Sequence, residues 1–198
     1  MKPLIYAEYM RRDRAVPLHV FRHHMRQDWQ ADGDVIVANL ARTMKMGAEP
    51  HHMCWWRIPS ITRMDTWEDF FRTPEGRAYA AQSPVAQAID FYECGLFDII
   101  VEPAIAPGAL VLAEFFAPGA HTPDALEGIF RARERACGAA RLSGLLTRLG
   151  VMGPPPGGIA VWSFGNYAES EPFLRQQRES TASIAAAGFY RPLGEDIA

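Results

Sequence analysis

The sequence contains few cysteines and no long apolar run. Its three cysteines, Cys54, Cys94 and Cys137, are widely spaced and form no CxxC pair, which argues against a disulfide framework or a zinc knuckle. No window approaches about 18 uninterrupted apolar residues, so we expect no membrane-spanning helix. The N-terminal segment is too short and too charged for a signal peptide, and the expected location is the cytoplasm.

The sequence also lacks any concentration of positive charge. Its 20 Lys and Arg residues are scattered among 23 Asp and Glu residues, and the formal net charge is −3. We therefore expect no nucleic-acid partner. The GxGxxG, P-loop, HExxH and GxSxG patterns are absent too, so the sequence predicts neither a cofactor nor a metal. Hydrophobic residues make up 48% of the 198 residues, which is enough for a sizeable core without disulfides or a structural metal.

What the sequence does contain is an internal repeat with an offset of 106 residues. The segment P-L-I-Y-A-E-Y-M at 3–10 matches A-L-V-L-A-E-F-F at 109–116. Three pairs of functional residue types share the offset: Glu8 with Glu114, Arg42 with Arg148, and Trp56 with Trp162. So many matches in one register predict a duplication, with a first unit at 1–103 and a second at 104–198.

Hydrophobic periodicity gives each unit the element order β-α-β-β-α-β. In the first unit we predict strands at 3–10, 35–46, 52–59 and 92–101, with helices at 17–30 and, broken by Pro74 and Pro84, at 65–90. In the second we predict strands at 109–116, 141–152, 158–164 and near 186–191, with helices at 122–137 and near 167–180. This order is the ferredoxin-like arrangement, so the predicted fold class is α+β, with two tandem units forming an α+β barrel.

Two such units resemble the dimeric α+β-barrel superfamily fused in tandem. The doubled strand, the repeated Arg and Trp, and the segment F-F-R-T-P-E-G-R … G-L-F-D, which is similar to EthD-like proteins, carry this resemblance. It implies a homodimer and a ligand cavity inside the barrel. Members of the superfamily include cofactor-free monooxygenases, cyclases, isomerases and lyases, and larger tandem relatives bind haem.

The two glutamates are the first candidates for chemistry. Because strand residues alternate between faces, Glu8 shares one face with Tyr6, and we expect that face to line the barrel interior. Burial raises the pKa of a carboxyl group and a neighbouring arginine lowers it, and Arg42 and Arg148 are the expected partners. A repeated Glu–Arg pair with no chemistry is an equally open interpretation.

The histidines are concentrated in the first unit, where His51 and His52 begin a strand and Gly157 and Gly158 replace them in the second. One of the two histidines must point to the same side as the barrel pocket, where it could exchange protons near neutral pH. A solvent-exposed hairpin tip is the alternative. His19 and His23 have the i, i+4 spacing of a metal-chelating pair, although a solvent-facing pair is the simpler interpretation.

These residues predict a cofactor-independent enzyme that performs acid–base chemistry, as a lyase, decarboxylase, isomerase or cyclase of aromatic-compound metabolism. The candidate catalytic residues are Glu8, His51, His52, Tyr6 and Arg42. The candidate substrate-binding residues are Glu114, Arg148, Trp56, Trp162 and Met44. The expected partner is a small hydrophobic or aromatic substrate. Two alternatives stay open: a cofactor-free or haem-dependent oxidoreductase, and a non-enzymatic ligand-binding module.

Overall fold

The structure is a computed structural model that describes residues 2–12, 33–47, 50–82, 89–150, 152, 157–176 and 183–193. Its strands are β1 (Leu4–Arg12), β2 (Val35–Gly47), β3 (His52–Ile58), β4 (Ile89–Val101), β5 (Leu110–Ala117), β6 (Arg141–Arg148), β7 (Gly158–Phe164) and β8 (Ser183–Pro192). The helices described are α1 (Arg63–Arg72), α2 (Pro74–Gln82), α3 (Pro123–Ala136) and α4 (Tyr167–Gln176). The predicted helix at 17–30, with His19, His23 and His24, lies outside the described residues.

The strands close into one antiparallel barrel in the order β1-β3-β2-β8-β5-β7-β6-β4. Strands β4, β1, β3 and β2 are neighbours, and so are β8, β5, β7 and β6, which is the ferredoxin-like strand order in each half of the chain. The halves meet where β2 pairs with β8 and β4 pairs with β6. The predicted α+β fold class is confirmed. The boundary at residue 103, the tandem fusion and the homodimer stay predictions.

Local sequence signals explain where several elements begin and end. Thr122 caps α3, since its hydroxyl accepts a hydrogen bond from the Ala125 amide, and Pro123 occupies the first turn, where a missing N–H costs nothing. Pro74 separates α1 from α2 as predicted, because proline cannot continue the helical hydrogen-bond ladder. Strand β6 ends at Arg148, short of the predicted 152, and Gly150 in the turn that follows has a φ of +58°.

The barrel interior is a packed core. It is built from strand residues of both halves, among them Ala7, Trp55, Ala113 and Tyr190, as is usual for eight strands, whose interior is just wide enough for side chains. The faces of β1 and β5 are therefore the reverse of the prediction. Ile5, Ala7 and Tyr9 point inward, whereas the face that carries Glu8 points toward the helices. The prediction was wrong because both faces are equally apolar, and small alanines suit the barrel axis, where large side chains converge.

Gly47 marks a close approach between β2 and β8. It has a φ of +89°, and a Cβ there would lie 2.3 Å from the Ala187 carbonyl oxygen. We expect Gly47→Ala to lower the free energy of unfolding by about 2–4 kcal/mol, because backbone strain and overpacking add. Gly108→Ala is the control: φ is +75° there but nothing lies within 4 Å of the added carbon, so only the left-handed backbone costs energy, about 1–2 kcal/mol. Equal losses in urea denaturation would contradict the close approach.

Candidate functional site

The glutamates of β1 and β5 form the same hydrogen bond in the two halves. Trp56 Nε1 donates to Glu8 Oε2 at 2.9 Å, and Trp162 Nε1 donates to Glu114 Oε2 at 2.8 Å. Both pairs lie on the helix-facing side of the sheet, not in the barrel interior. These hydrogen bonds come from indole N–H groups on β3 and β7, which reach the carboxylates directly across the strand pairing, and not from the expected Arg42 and Arg148.

The Glu114 carboxylate is enclosed by the protein, and its negative charge is balanced by a cation. Glu114 is fully buried, and Arg133 on α3 approaches it with two nitrogens, at 2.7 and 2.9 Å. The guanidinium also lies 4.8–5.5 Å from the ring centroids of Phe130, Trp162 and Phe173. A bidentate charged pair surrounded by aromatic rings is a structural unit, and it fills the space between the second-half sheet and its helices.

The surroundings of Glu8 are chemically different. Glu8 lies directly across from Cys54 on β3 and Cys94 on β4, and the Tyr6 hydroxyl and the Cys94 thiol influence each other's pKa. At the corresponding register positions of the second half, Glu114 lies between Ala160 and Ala187. We call Tyr6, Glu8, Cys54 and Cys94 the first-half polar row.

Leu112 replaces Tyr6 at the offset of 106 residues, so three protic side chains of the first-half polar row have apolar counterparts. Only the glutamate itself, with its tryptophan, occurs in both halves. Packing alone does not account for these polar side chains, so the helix-facing side of the first half is the candidate place for chemistry.

Burial controls the protonation of the first-half polar row. It raises the pKa of Glu8 to about 7, and the hydrogen bond from Trp56 partly opposes this rise. Burial, and then the nearby Glu8 carboxylate, raise the pKa of Tyr6 and of Cys54. The pKa of Cys94 is raised, mainly by partial burial, and the neighbouring Tyr6 hydroxyl partly opposes this rise. At neutral pH the row thus consists of neutral donors around one carboxyl group that gains and loses its proton in the physiological range.

Two groups on α1 and before β2 frame this site. The Trp67 ring lies edge-on to Tyr6 and Trp56, with centroids 5.2 and 6.2 Å away. Trp67 Nε1 and Arg63 Nε both donate to the buried Asp34 carboxylate, at 3.2 and 2.6 Å. Asp34 thereby fixes α1 and the Trp67 ring over the sheet.

The other predicted site residues do not join one site. His52 is buried on the helix-facing side, two positions from Cys54, so the two point the same way. His51 precedes β3, and its carbonyl accepts from the Arg42 amide. Arg42 and Met44 lie on β2 where it meets β8. Arg148 ends β6 beside Gly157.

Arg133 is the residue that sequence reasoning missed. A signal was present: Leu126, Phe130, Arg133 and Cys137 recur at helical spacing, and the three uncharged members are buried. A charged residue within the apolar stripe of a helix requires a partner in the core.

Two general properties bear on the kind of site. Among the described residues, no group of three or more His, Cys, Asp or Glu side chains is arranged to hold a metal ion. None of the described helices is long and apolar enough to cross a membrane.

The chain matches no protein-family model and no curated protein sequence. Its fold, however, is that of chlorite dismutase-like proteins. A Trp-to-Phe variant of chlorite dismutase from Candidatus Nitrospira defluvii, in complex with cyanide, aligns with a TM-score of 0.58 and 9% identity over 96% of this chain and 91% of that one. A Trp-to-Val variant aligns with a TM-score of 0.59 and 7% identity, over 96% and 92%.

A haem-binding protein from Thermus thermophilus aligns with a TM-score of 0.54 and 9% identity over 98% of this chain and 92% of that one. At these identities the likeness establishes the fold alone. The predicted cofactor-independent lyase of aromatic metabolism is nevertheless wrong, since the solved structures that this chain resembles include chlorite dismutases and a haem-binding protein. The barrel interior, where its substrate was expected, is filled by side chains.

Proposed function

We propose that this protein is a haem-binding protein of the oxidoreductase type, and that the haem lies against the helix-facing side of the first half. The shared fold with chlorite dismutase and with a haem-binding protein supports the class. The observation that carries the location is the first-half polar row, which replaces apolar residues at the matching positions of the second half.

The helix-facing side of the second half does not fit a haem. Arg133, Glu114 and the rings of Phe130, Trp162 and Phe173 occupy it, all at contact distance. The second half contains one histidine, His121, which is exposed in the turn before α3. A haem here would have to displace a buried ion pair, and among the described residues it would find no imidazole on the buried side.

The donor set of the first half does fit. Haem iron is ligated in proteins by imidazole, thiolate or phenolate groups, and His52, Cys54 and Tyr6 present all three on one face. His52 is the best of them at neutral pH, because burial keeps the thiol and phenol protonated. Tyr6, Trp56 and Trp67 provide the aromatic surface that a flat macrocycle requires. The iron of a bound haem would supply one-electron and oxygen-transfer chemistry.

Within such a site, Glu8 would hold and release a proton. Its carboxyl group is fixed by Trp56 and titrates near pH 7, which is the range in which a side chain serves both as acid and as base. Tyr6 and Cys94 would donate hydrogen bonds without adding charge. Trp67, fixed through Asp34, would exclude water from the row.

The test is a haemin titration of the purified protein, followed by its Soret absorption. We expect one haem per chain, and we expect His52→Ala to weaken binding by about tenfold or more, since loss of even an outer-shell contact at a metal site costs about 10–100-fold. His121→Ala, outside the proposed site, is the control and should bind as the parent does. No stoichiometric Soret band, or equal binding by both variants, would contradict the proposal. Circular dichroism would check that each variant is folded.

A further inference from the structure

A cleft lies where the two halves meet, beside the strand position of His52, since Ala41 in its wall pairs with His52. It has a volume of about 500 Å³ and is formed by β2, β8 and the linker between the halves, with Arg42, Met44, Gly108, Arg191 and Leu193 among its walls. Its size is within the usual range for sites that bind small molecules. None of these residues belongs to the site proposed above.

The cleft exists because the pairing of β2 with β8 is interrupted. The register shifts between Arg42 and Gly47, where Tyr190 and Gly188 are the partners. Inside this irregular stretch Met44 has a φ of +50°, the one non-glycine residue with positive φ in the described part of the chain. The residue is 76% exposed. A strained backbone that holds a large apolar side chain in solvent costs free energy, and such features occur preferentially at binding sites.

Two arginines give the cleft its charge. Arg42 Nη1 donates to the Gly47 carbonyl at 3.3 Å, and Arg191 Nη1 donates to the Gly108 carbonyl at 2.6 Å. These bonds fix the guanidinium groups and use one donor nitrogen of each, while a guanidinium has five N–H donors in all. Among the described residues, neither arginine has an ion-pair partner.

The rest of the wall is apolar or weakly polar. Ala41, Met44 and Leu193 contribute hydrocarbon, and the Thr43 hydroxyl is hydrogen-bonded to Tyr167 of α4. Within the described ranges of the chain, no acidic side chain lines the cleft. The combination of fixed guanidinium groups with exposed hydrocarbon is complementary to a molecule that has one anionic end and one apolar end.

We propose that this cleft is a binding site for a small amphipathic carboxylate, with Arg42 and Arg191 holding the carboxylate and Met44 and Leu193 covering its apolar part. The site shares no residue with the proposed haem site. It would connect the two halves through their shared β2–β8 seam, so an occupied cleft also stabilises the closed barrel.

Octanoate is the probe, titrated by calorimetry into the full chain at low ionic strength. We expect one site per chain, binding about tenfold weaker in Arg42→Gln and in Arg191→Gln, because each loses a charged hydrogen bond. Arg175→Gln on the exposed side of α4 is the matched control and should leave binding unchanged. Octanol, which has the same chain without the charge, should bind at least about tenfold more weakly than octanoate.

Binding that is unaffected by both arginine variants, or equal binding of octanol and octanoate, would overturn the proposal, and so would no binding at all. Either arginine variant suffices for the test, so failure of one to fold leaves the other. A chain that binds octanoate but no haemin would retain this proposal and refute the haem site, and the opposite result would do the reverse.

Discussion

Replacing Arg133 with alanine is expected to lower the free energy of unfolding by about 3–5 kcal/mol, as is typical when one member of a buried ion pair is removed. The variant leaves the Glu114 carboxylate buried without its cation, although Trp162 still donates to it, and it removes a cation from contact with three aromatic rings. Urea denaturation at neutral pH measures the effect.

Arg131→Ala is the matched control for this experiment. Arg131 lies on the same helix and pairs with Glu127 and Glu134, but its side chain is 35% exposed. Ion pairs in contact with water contribute about 0–1 kcal/mol. Comparable losses in the two variants would show that the Glu114–Arg133 pair is not the buried structural unit described above. The double variant Glu114→Leu/Arg133→Met should recover much of the loss, since it leaves no buried charge.

Replacing Glu8 with glutamine is expected to raise the free energy of unfolding, and only when the pH approaches or exceeds about 7. The pKa of Glu8 is about 7 in the folded protein and 4.5 for the ordinary side chain. Between these pH values the folded state binds a proton that the unfolded chain has released. The contribution to stability is therefore complete below about pH 4.5 and is lost as the pH rises through 7.

The parent protein should consequently lose on the order of 2–3 kcal/mol from this group across that range, since a tenfold change in proton affinity corresponds to about 1.4 kcal/mol. Glu8→Gln should have the same free energy of unfolding as the parent near pH 4.5 and a higher one about one pH unit above 7. The reason is that the glutamine is never charged, while its amide oxygen can still accept from Trp56. Thermal or urea unfolding across the range measures this. A difference between the two proteins that does not change with pH would rule out titration of Glu8. Glu68→Gln, at an exposed position of α1, controls for loss of a surface charge.

Much of the fold could be predicted from the sequence because its signals are local. The aliphatic and aromatic composition of β1 and β5, the cap at Thr122 and the break at Pro74 each depend on a few neighbouring residues. The offset of 106 residues also paired Glu8 with Glu114 and Trp56 with Trp162, and the structure places the same hydrogen bond in both pairs.

The site was harder to predict because it depends on which face of the sheet is inside. That choice is made by residues of other strands, such as Trp55 and Tyr190, which fill the interior, and no pattern within β1 contains this information. The partner of Glu114 was missed for the same reason, since Arg133 reaches it from a helix 19 positions along the chain. The first-half polar row could be recognised only after pairing brought β3 and β4 to either side of Glu8.

Closure of the barrel has a consequence for how the chain can be divided. Each half supplies four neighbouring strands, and the bonds of β2 with β8 and of β4 with β6 satisfy the outer strands of both. A fragment that ended in the linker would carry two unpaired strand edges beside an uncovered apolar surface, which is the combination that drives strands of different molecules to associate. Each half therefore covers the strand edges and the apolar surface through which the other half would otherwise aggregate.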